Sequence, residues 1–190
     1  ALLSGYRVIE IHAAHGYLIH QFLSPLSNHR TDDYGGSFGN RVKLLLEIVR
    51  AIHTVWPPDF PLFVRISATD WIEGGWHTEE AVQLAKLLEK EGVDLIDCSS
   101  GGMVPYAKIP LAPGYQVQFA ELIKKETNLL SGAVGLITEA KQAEEILNKK
   151  QSDLIFIGRE SLRNPNFPLN AAQFLHDDIQ WPLQYLRAKS

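Results

Sequence analysis

Five short apolar runs, each followed by a longer amphipathic stretch, constrain this chain most. The runs are residues 8–11 (VIEI), 61–66 (PLFVRI), 93–98 (VDLIDC), 129–134 (LLSGAV) and 153–158 (DLIFIG). Most are rich in Val, Ile, Leu or Phe and bounded by turn residues, as strands of a parallel sheet buried on both faces are. Between them lie helical patterns. Residues 40–55 place Val42, Leu45, Leu46, Val49 and Ile52 on one face. Residues 78–91 open with Thr78 as an N-cap candidate, carry acids in the first turn, and stop before Gly92, a good residue to follow a helix. Residues 115–127, 138–149 and 170–175 also read as helical, with Thr138 as a second N-cap candidate.

Strand–helix alternation at roughly 30–40 residues per unit means βα units and a parallel sheet. The loops after the strands are long and hold the unusual residues. Those before the later strands are short, EG and KQS. This asymmetry predicts a (β/α)8 barrel with its site on the C-terminal face. A doubly wound sheet is the alternative, weakened because no G-x-G-x-x-G follows the first run. A full barrel takes about 250 residues; this chain has 190. Its start, ALLSGY, reads as the last turn of a helix entering the first run. The expected fold is therefore α/β: five βα units of a (β/α)8 TIM barrel, starting mid-barrel. Residues 1–190 are expected to form one partial barrel domain.

Composition narrows the functional classes. A formal net charge of −4 and no Lys/Arg cluster argue against nucleic acid as a partner. No apolar run approaches about 20 residues, so no membrane span is expected. The first residues lack the basic and apolar regions of a signal peptide. The lone Cys98 rules out an internal disulfide framework and fits a reducing compartment, so a cytoplasmic location is expected.

The chemistry concentrates in the loops after the runs. In EIHAAHGYLIHQFLSP, His12 and His15 stand three residues apart just beyond the first run. Both can turn towards one point, as donors to a carbonyl oxygen or phenolate, or as a metal pair. No Cys lies nearby, and Glu10, the one close carboxylate, can equally orient His12, so donors are favoured over zinc. Tyr17 follows and can act as a proton donor, although aromatic packing is the ordinary role of such a residue. His20 falls to surface or packing. The loop at residues 24–41 (SPLSNHRTDDYGGSFGNR) reads chiefly as structural pinning, with a possible ion-pair network of Arg30, Asp33 and Arg41. Arg65, inside LFVRIS, is a charge within a buried strand; it needs an anionic partner at the barrel centre or an internal salt bridge. SGAVG and IGR, holding Gly135, Gly158 and Arg159, are late strand ends of the type that binds phosphate in barrels; tight turns are the plainer reading of each alone.

Taken together, EIHAAHGYLIHQFLSPLSNHRTDDYGGSFGNR, LFVRIS, DLIDCSSGG, GAVGLIT and LIFIGRESLRNP resemble the Old Yellow Enzyme family of FMN-dependent ene-reductases over essentially the whole chain. The His-x-x-His form and the short end near QYLR are most similar to the thermophilic-like bacterial subclass that includes xenobiotic reductases. The resemblance implies FMN at the C-terminal face and NADPH or NADH as reductant. It implies His12 and His15 on the carbonyl oxygen of an enone or enal substrate and Tyr17 as the proton source. Arg65 would sit at the flavin ring, and Gly135, Gly158 and Arg159 at its phosphate. Arg187 would match the arginine that reaches a neighbouring subunit, so a homo-oligomer is expected; the usual terminal aromatic is absent here. No metal is implied. The family's opening strands, with their own flavin contacts, have no counterpart in this sequence, so the resemblance implies that residues 1–190 are the C-terminal five βα units, strands 4 to 8, and lack the first three strands. Cys98 sits too late to be the redox-tuning cysteine. The chain by itself is therefore not expected to turn over. Against this stand two other classes: a catalytically incompetent barrel fragment that self-associates, and a His-site metallohydrolase.

Overall fold

All five apolar runs become strands. In the computed structural model, which describes residues 1–189, these are β1 (Ile9–Ala13), β2 (Leu62–Ser67), β3 (Leu95–Ser99), β4 (Leu130–Ala133) and the short β5 (Leu154–Ile155). Ser190, the last residue of the tail, lies outside the described residues. The strands are parallel and ordered β1-β2-β3-β4-β5. Each lies beside the one before it, so every crossover steps in the same direction. A doubly wound sheet reverses that step at its switch point; this sheet does not, which leaves barrel winding.

The helices are α1 (Leu18–Leu23), α2 (Phe38–His53), α3 (Thr78–Lys90), α4 (Val117–Glu126), α5 (Ala140–Asn148), α6 (Arg159–Arg163) and α7 (Phe167–Phe174), with 3-10 turns at Leu2–Ser4 and Leu183–Ala188. Side chains alternate along each strand, so one face of the sheet is apolar. Ile11, Val64, Ile66, Ile96 and Cys98 on that face are buried together with Val42, Leu45 and Val49 of α2, Leu84 and Leu88 of α3, and Ile123 of α4. Burying each large aliphatic side chain contributes roughly 1.5–3 kcal/mol. The opposite, concave face carries Glu10, His12, Phe63, Arg65 and Asp97. Polar groups stand there because this face would line a barrel interior rather than pack on helices.

Several local expectations are corrected. Thr78 is the first residue of α3, and His77, in an extended conformation, is its N-cap. Thr138 does not cap α5 either: its N–H donates to Gln142 Oε1 (3.2 Å), and the helix begins after Glu139. The end of α3 is as expected, since Gly92 N–H and Val93 N–H return to the carbonyls of Glu89 and Leu88 (both 3.1 Å). Helix α2 starts two residues early because the Ser37 side chain accepts from Asn40 N–H. Helix α7 starts at Phe167, with a proline in its first turn. The 24–41 loop is pinned, as expected, by Asn28 Nδ2 donating to the carbonyls of Phe22 and Tyr34 (both 2.7 Å). Its charges do not form one network. Arg30 pairs with Asp32, Asp33 with Lys43, and buried Arg41 with Glu80 on α3.

Candidate active site

The HAAHGY segment turns sharply at the C-terminal end of β1. His12 is exposed on the concave face, Ala13 and Ala14 are buried, and His15 adopts a left-handed conformation (φ 58°). A non-glycine residue holds such a backbone only when its surroundings dictate it. Here His15 N–H donates to Ser67 Oγ (3.0 Å), and Ser67 Oγ donates to the Gly101 carbonyl (2.8 Å). The loops after β1 and β3 also touch backbone to backbone. A Cβ on Gly102 would stand 2.6 Å from His15 Cα, and one on Gly16 would stand 2.5 Å from the Gly102 oxygen. His20 is fully buried and structural rather than on the surface. Its Nδ1 accepts from Gly16 N–H (2.9 Å), so Nε2 carries the proton and meets Asp70 Oδ1 at 3.0 Å. Burial alone raises the Asp70 carboxyl, but hydrogen bonds from His20, Ser24 and Trp76 outweigh it and leave Asp70 below the ordinary range.

This scaffold brings three side chains together. The rings of His12 and His15 are 5.2 Å apart, and those of His12 and Tyr17 are 5.1 Å apart. Burial, with the Arg65 and His12 charges behind it, pushes His15 down to about 4. Burial and Arg65 also hold His12 below its ordinary value. Both imidazoles are therefore neutral near neutral pH, each with one N–H to donate. His15 Nε2 lies 2.6 Å from Ser99 Oγ, so Nδ1 is the nitrogen left for a ligand. Among the described residues no three His, Cys, Asp or Glu side chains group to hold a metal ion.

Below the histidines a polar row crosses the sheet. The strand register sets His12, Arg65, Asp97 and Gly132 side by side. Arg65 Nη1 is 3.3 Å from Asp97 Oδ2, which supplies the internal salt bridge that a charge in this strand requires. Its Nε is nevertheless buried without a hydrogen-bond partner. Burial pushes Asp97 up to about 7; Arg65 opposes this and Glu10 adds to it. Cys98 points to the helix side, where burial raises its thiol.

Beside the row opens a cavity of about 480 Å³, walled by His15, Arg65, Ser99, Gly135, Gly158 and Arg159 among others. That is the size of a small-ligand or cofactor pocket. Gly135 (φ 117°) is required there: a Cβ would stand 2.7 Å from Gln116 Nε2. Gln116 ties the loops together, accepting from Ser100 Oγ (2.6 Å) and donating to the Val134 carbonyl (3.0 Å). Arg65, Arg159 and Arg163 all stand in its wall, with the glycine-bearing strand ends at Gly135 and Gly158. Guanidinium groups beside open backbone at two strand ends fit an anionic, phosphate-bearing ligand.

Five of the eight sequence-derived candidates, His15, Arg65, Gly135, Gly158 and Arg159, line this one cavity. His12 and Tyr17 adjoin it through ring contacts with the His15 cluster. Arg187 is exposed in the Leu183–Ala188 turn and does not reach the cavity. Ser67, Ser99, Gln116 and Asp97 were missed, because each acts through a contact between distant strands that no local pattern marks. The SGG after β3 was the one visible signal for the Gly102 contact.

Known proteins share this fold. The family model described as NADH:flavin oxidoreductase / NADH oxidase matches residues 1–178. An NADPH dehydrogenase of Halalkalibacterium halodurans is 58% identical over 185 residues, covering 97% of this chain and 54% of that protein. The chain thus spans about half the length of that curated relative. Among solved structures, a 2-naphthoyl-CoA reductase superposes with a TM-score of 0.85 at 30% identity, over 91% of this chain and 27% of its own. Morphinone reductase superposes with a TM-score of 0.72 at 27% identity, over 95% of this chain and 47% of its own. The five strands are the C-terminal five βα units of a (β/α)8 barrel of this type. On its sequence match, its fold and the resemblance carried by HAAHGY, the chain belongs to the NADH:flavin oxidoreductase / NADH oxidase family, among the Old Yellow Enzymes.

Proposed function

We propose that the whole protein is an FMN-dependent oxidoreductase that uses NADPH or NADH to reduce the C=C bond of α,β-unsaturated carbonyl compounds. The observation that carries this reading is the cluster of His12, His15 and Tyr17 rings beside a cavity walled by His15, Arg65 and Arg159. Gly135, Gly158 and Arg159 hold the FMN phosphate, and Arg65 meets the ring. Bound FMN supplies the hydride chemistry between the nicotinamide and the alkene, which side chains alone do not.

The protein's part is to polarise and protonate. His12 donates an N–H to the substrate carbonyl oxygen. His15 donates from Nδ1, its Nε2 being engaged with Ser99 Oγ at 2.6 Å. Two neutral donors stabilise the enolate-like charge that grows on that oxygen as hydride reaches the β-carbon. The Tyr17 hydroxyl gives its proton to the α-carbon, and the 62% exposure of Tyr17 lets water restore it. Residues 1–190 form one partial barrel domain in this reading. Three preceding strands complete it by pairing with the open edges at β1 and β5, and their inward side chains cover Leu130 and Leu154, which stand exposed on the concave face. Arg187 serves a neighbouring copy in a homo-oligomer.

The test is anaerobic turnover of 2-cyclohexen-1-one by the FMN-loaded whole protein, following NADPH and alkene together. Stoichiometric loss of both supports the reading, with H12A and H15A each about 10²–10³ slower. Flavin reduction by NADPH without alkene loss would refute the enone assignment.

A further inference from the structure

We propose that Asp97 is a positioning residue for the cofactor cavity: it grips Arg65 by Nη1, leaves the other guanidinium donors to the bound ring, and its charge moderates how strongly Arg65 favours the reduced ring over the oxidised one. The proposal rests on the flavin reading above. Every residue of β3 is buried, and Asp97 is fully so. A buried carboxylate is ordinarily satisfied by several hydrogen bonds. Asp97 has none: neither oxygen makes a directed hydrogen bond, and its one close cation is Arg65 at 3.3 Å.

The strand register explains why the two meet. Arg65 and Asp97 are paired residues of β2 and β3 on the concave face. On the other side of Asp97 is Gly132, where a Cβ would collide with the Phe156 ring. Asp97 thus has its single cation on one side and, on the other, a strand position kept free of any side chain by the Phe156 ring. Arg65 has five N–H groups in a rigid fork. With Nη1 drawn to Asp97, the fork cannot swing freely, and its Nε stays buried without a protein partner.

Asp97 is also a poor stabiliser. Burial drives its carboxyl up to about 7, so the folded state resists its ionisation. An ionised Asp97 therefore lowers the folding stability. A carboxylate that weakens the fold but faces a cofactor arginine is better explained by its effect on that arginine. A nearby negative charge opposes the build-up of negative charge on a reduced flavin and partly cancels Arg65.

The experiment compares the FMN-loaded whole protein with its Asp97→Asn variant at about pH 8, where Asp97 is ionised. The readouts are Tm and the flavin reduction potential. The expected variant keeps or raises Tm, and its potential moves positive, equivalent to on the order of tenfold tighter binding of the reduced over the oxidised flavin. In an Arg65→Met background, where no cation remains to hold the buried Asp97 ionised, the same Asp97→Asn change should produce a much smaller shift. An unchanged potential, equal shifts in both backgrounds, or a variant that fails to fold would each overturn the proposal and leave Asp97 structural. If the wild-type protein binds no flavin, the functional reading falls as well; if it binds flavin and only the shift is missing, this inference alone falls.

Discussion

Gly102→Ala isolates the contact that holds His15 in place. Two costs add at this position. The backbone is left-handed (φ 88°), which alanine tolerates at a cost of about 1–2 kcal/mol. The new Cβ would also stand 2.6 Å from His15 Cα and 3.0 Å from its carbonyl carbon, and backbone cannot yield as a flexible side-chain tip can. Overpacking of this kind costs a further 1–3 kcal/mol, roughly. Gly74→Ala is the matched control, with φ 74° and nothing within 4 Å of its Cβ. At about 2–4 °C per kcal/mol for a domain of this size, Gly74→Ala lowers Tm by a few degrees and Gly102→Ala by about twice that or more. Differential scanning calorimetry of the two variants measures the gap. Only Gly102→Ala should also slow enone reduction, because it displaces the His15 ring. Equal melting of the two variants, with activity intact in both, would show that the loops after β1 and β3 are not in backbone contact.

Removing one partner of the His20–Asp70 pair leaves a buried group unmatched, so Asp70→Ala should cost about 3–5 kcal/mol in urea titrations. Asp70 is held below its unfolded value, so its contribution is present above about pH 4 and is lost as acid titrates the folded carboxyl; the wild-type advantage over the variant should shrink there. His15 works in the same sense for a base. Held down to about 4, it stays neutral while the unfolded histidine charges, so it makes stability rise with pH between about 4 and 6.5; His15→Gln should remove that slope. Gly135→Ala, crowding Gln116 Nε2, should weaken FMN binding in fluorescence titrations while leaving Tm lowered by only about 1–3 kcal/mol equivalent.

Strand–helix alternation was legible because each strand packs one face on the helices and is bounded by turn residues, and the five runs and five strands coincide within a few residues; the expected burial on both faces does not hold, since Glu10 and His12 are exposed on the concave face. Loop asymmetry pointed to the barrel, and the unidirectional strand order is its structural counterpart. Helix α1 was not legible: LIHQFL buries its histidine, so its polar letters do not mark a solvent face. The caps at Thr78 and Thr138 were misplaced by one residue: the Thr138 N–H is taken by Gln142, and α3 begins after an extended His77 that makes no side-chain capping bond. The candidate site was legible where one residue announces itself, as Arg65 does inside LFVRIS. Asp97 was not, since its meaning depends on a register across two strands separated by a helix. Ser99 and Gln116 were hidden for the same reason.

Equilibrium titration of FMN into the protein completed with its remaining strands, followed by flavin fluorescence, tests the cavity assignment most directly. Saturable stoichiometric quenching is predicted for the wild type, with affinity reduced by roughly tenfold or more in Arg65→Met and in Arg159→Ala, each losing a charge-assisted contact of about 1.5–3 kcal/mol. Absence of saturable binding, or equal affinity in all three proteins, would contradict a flavin held between Arg65 and Arg159.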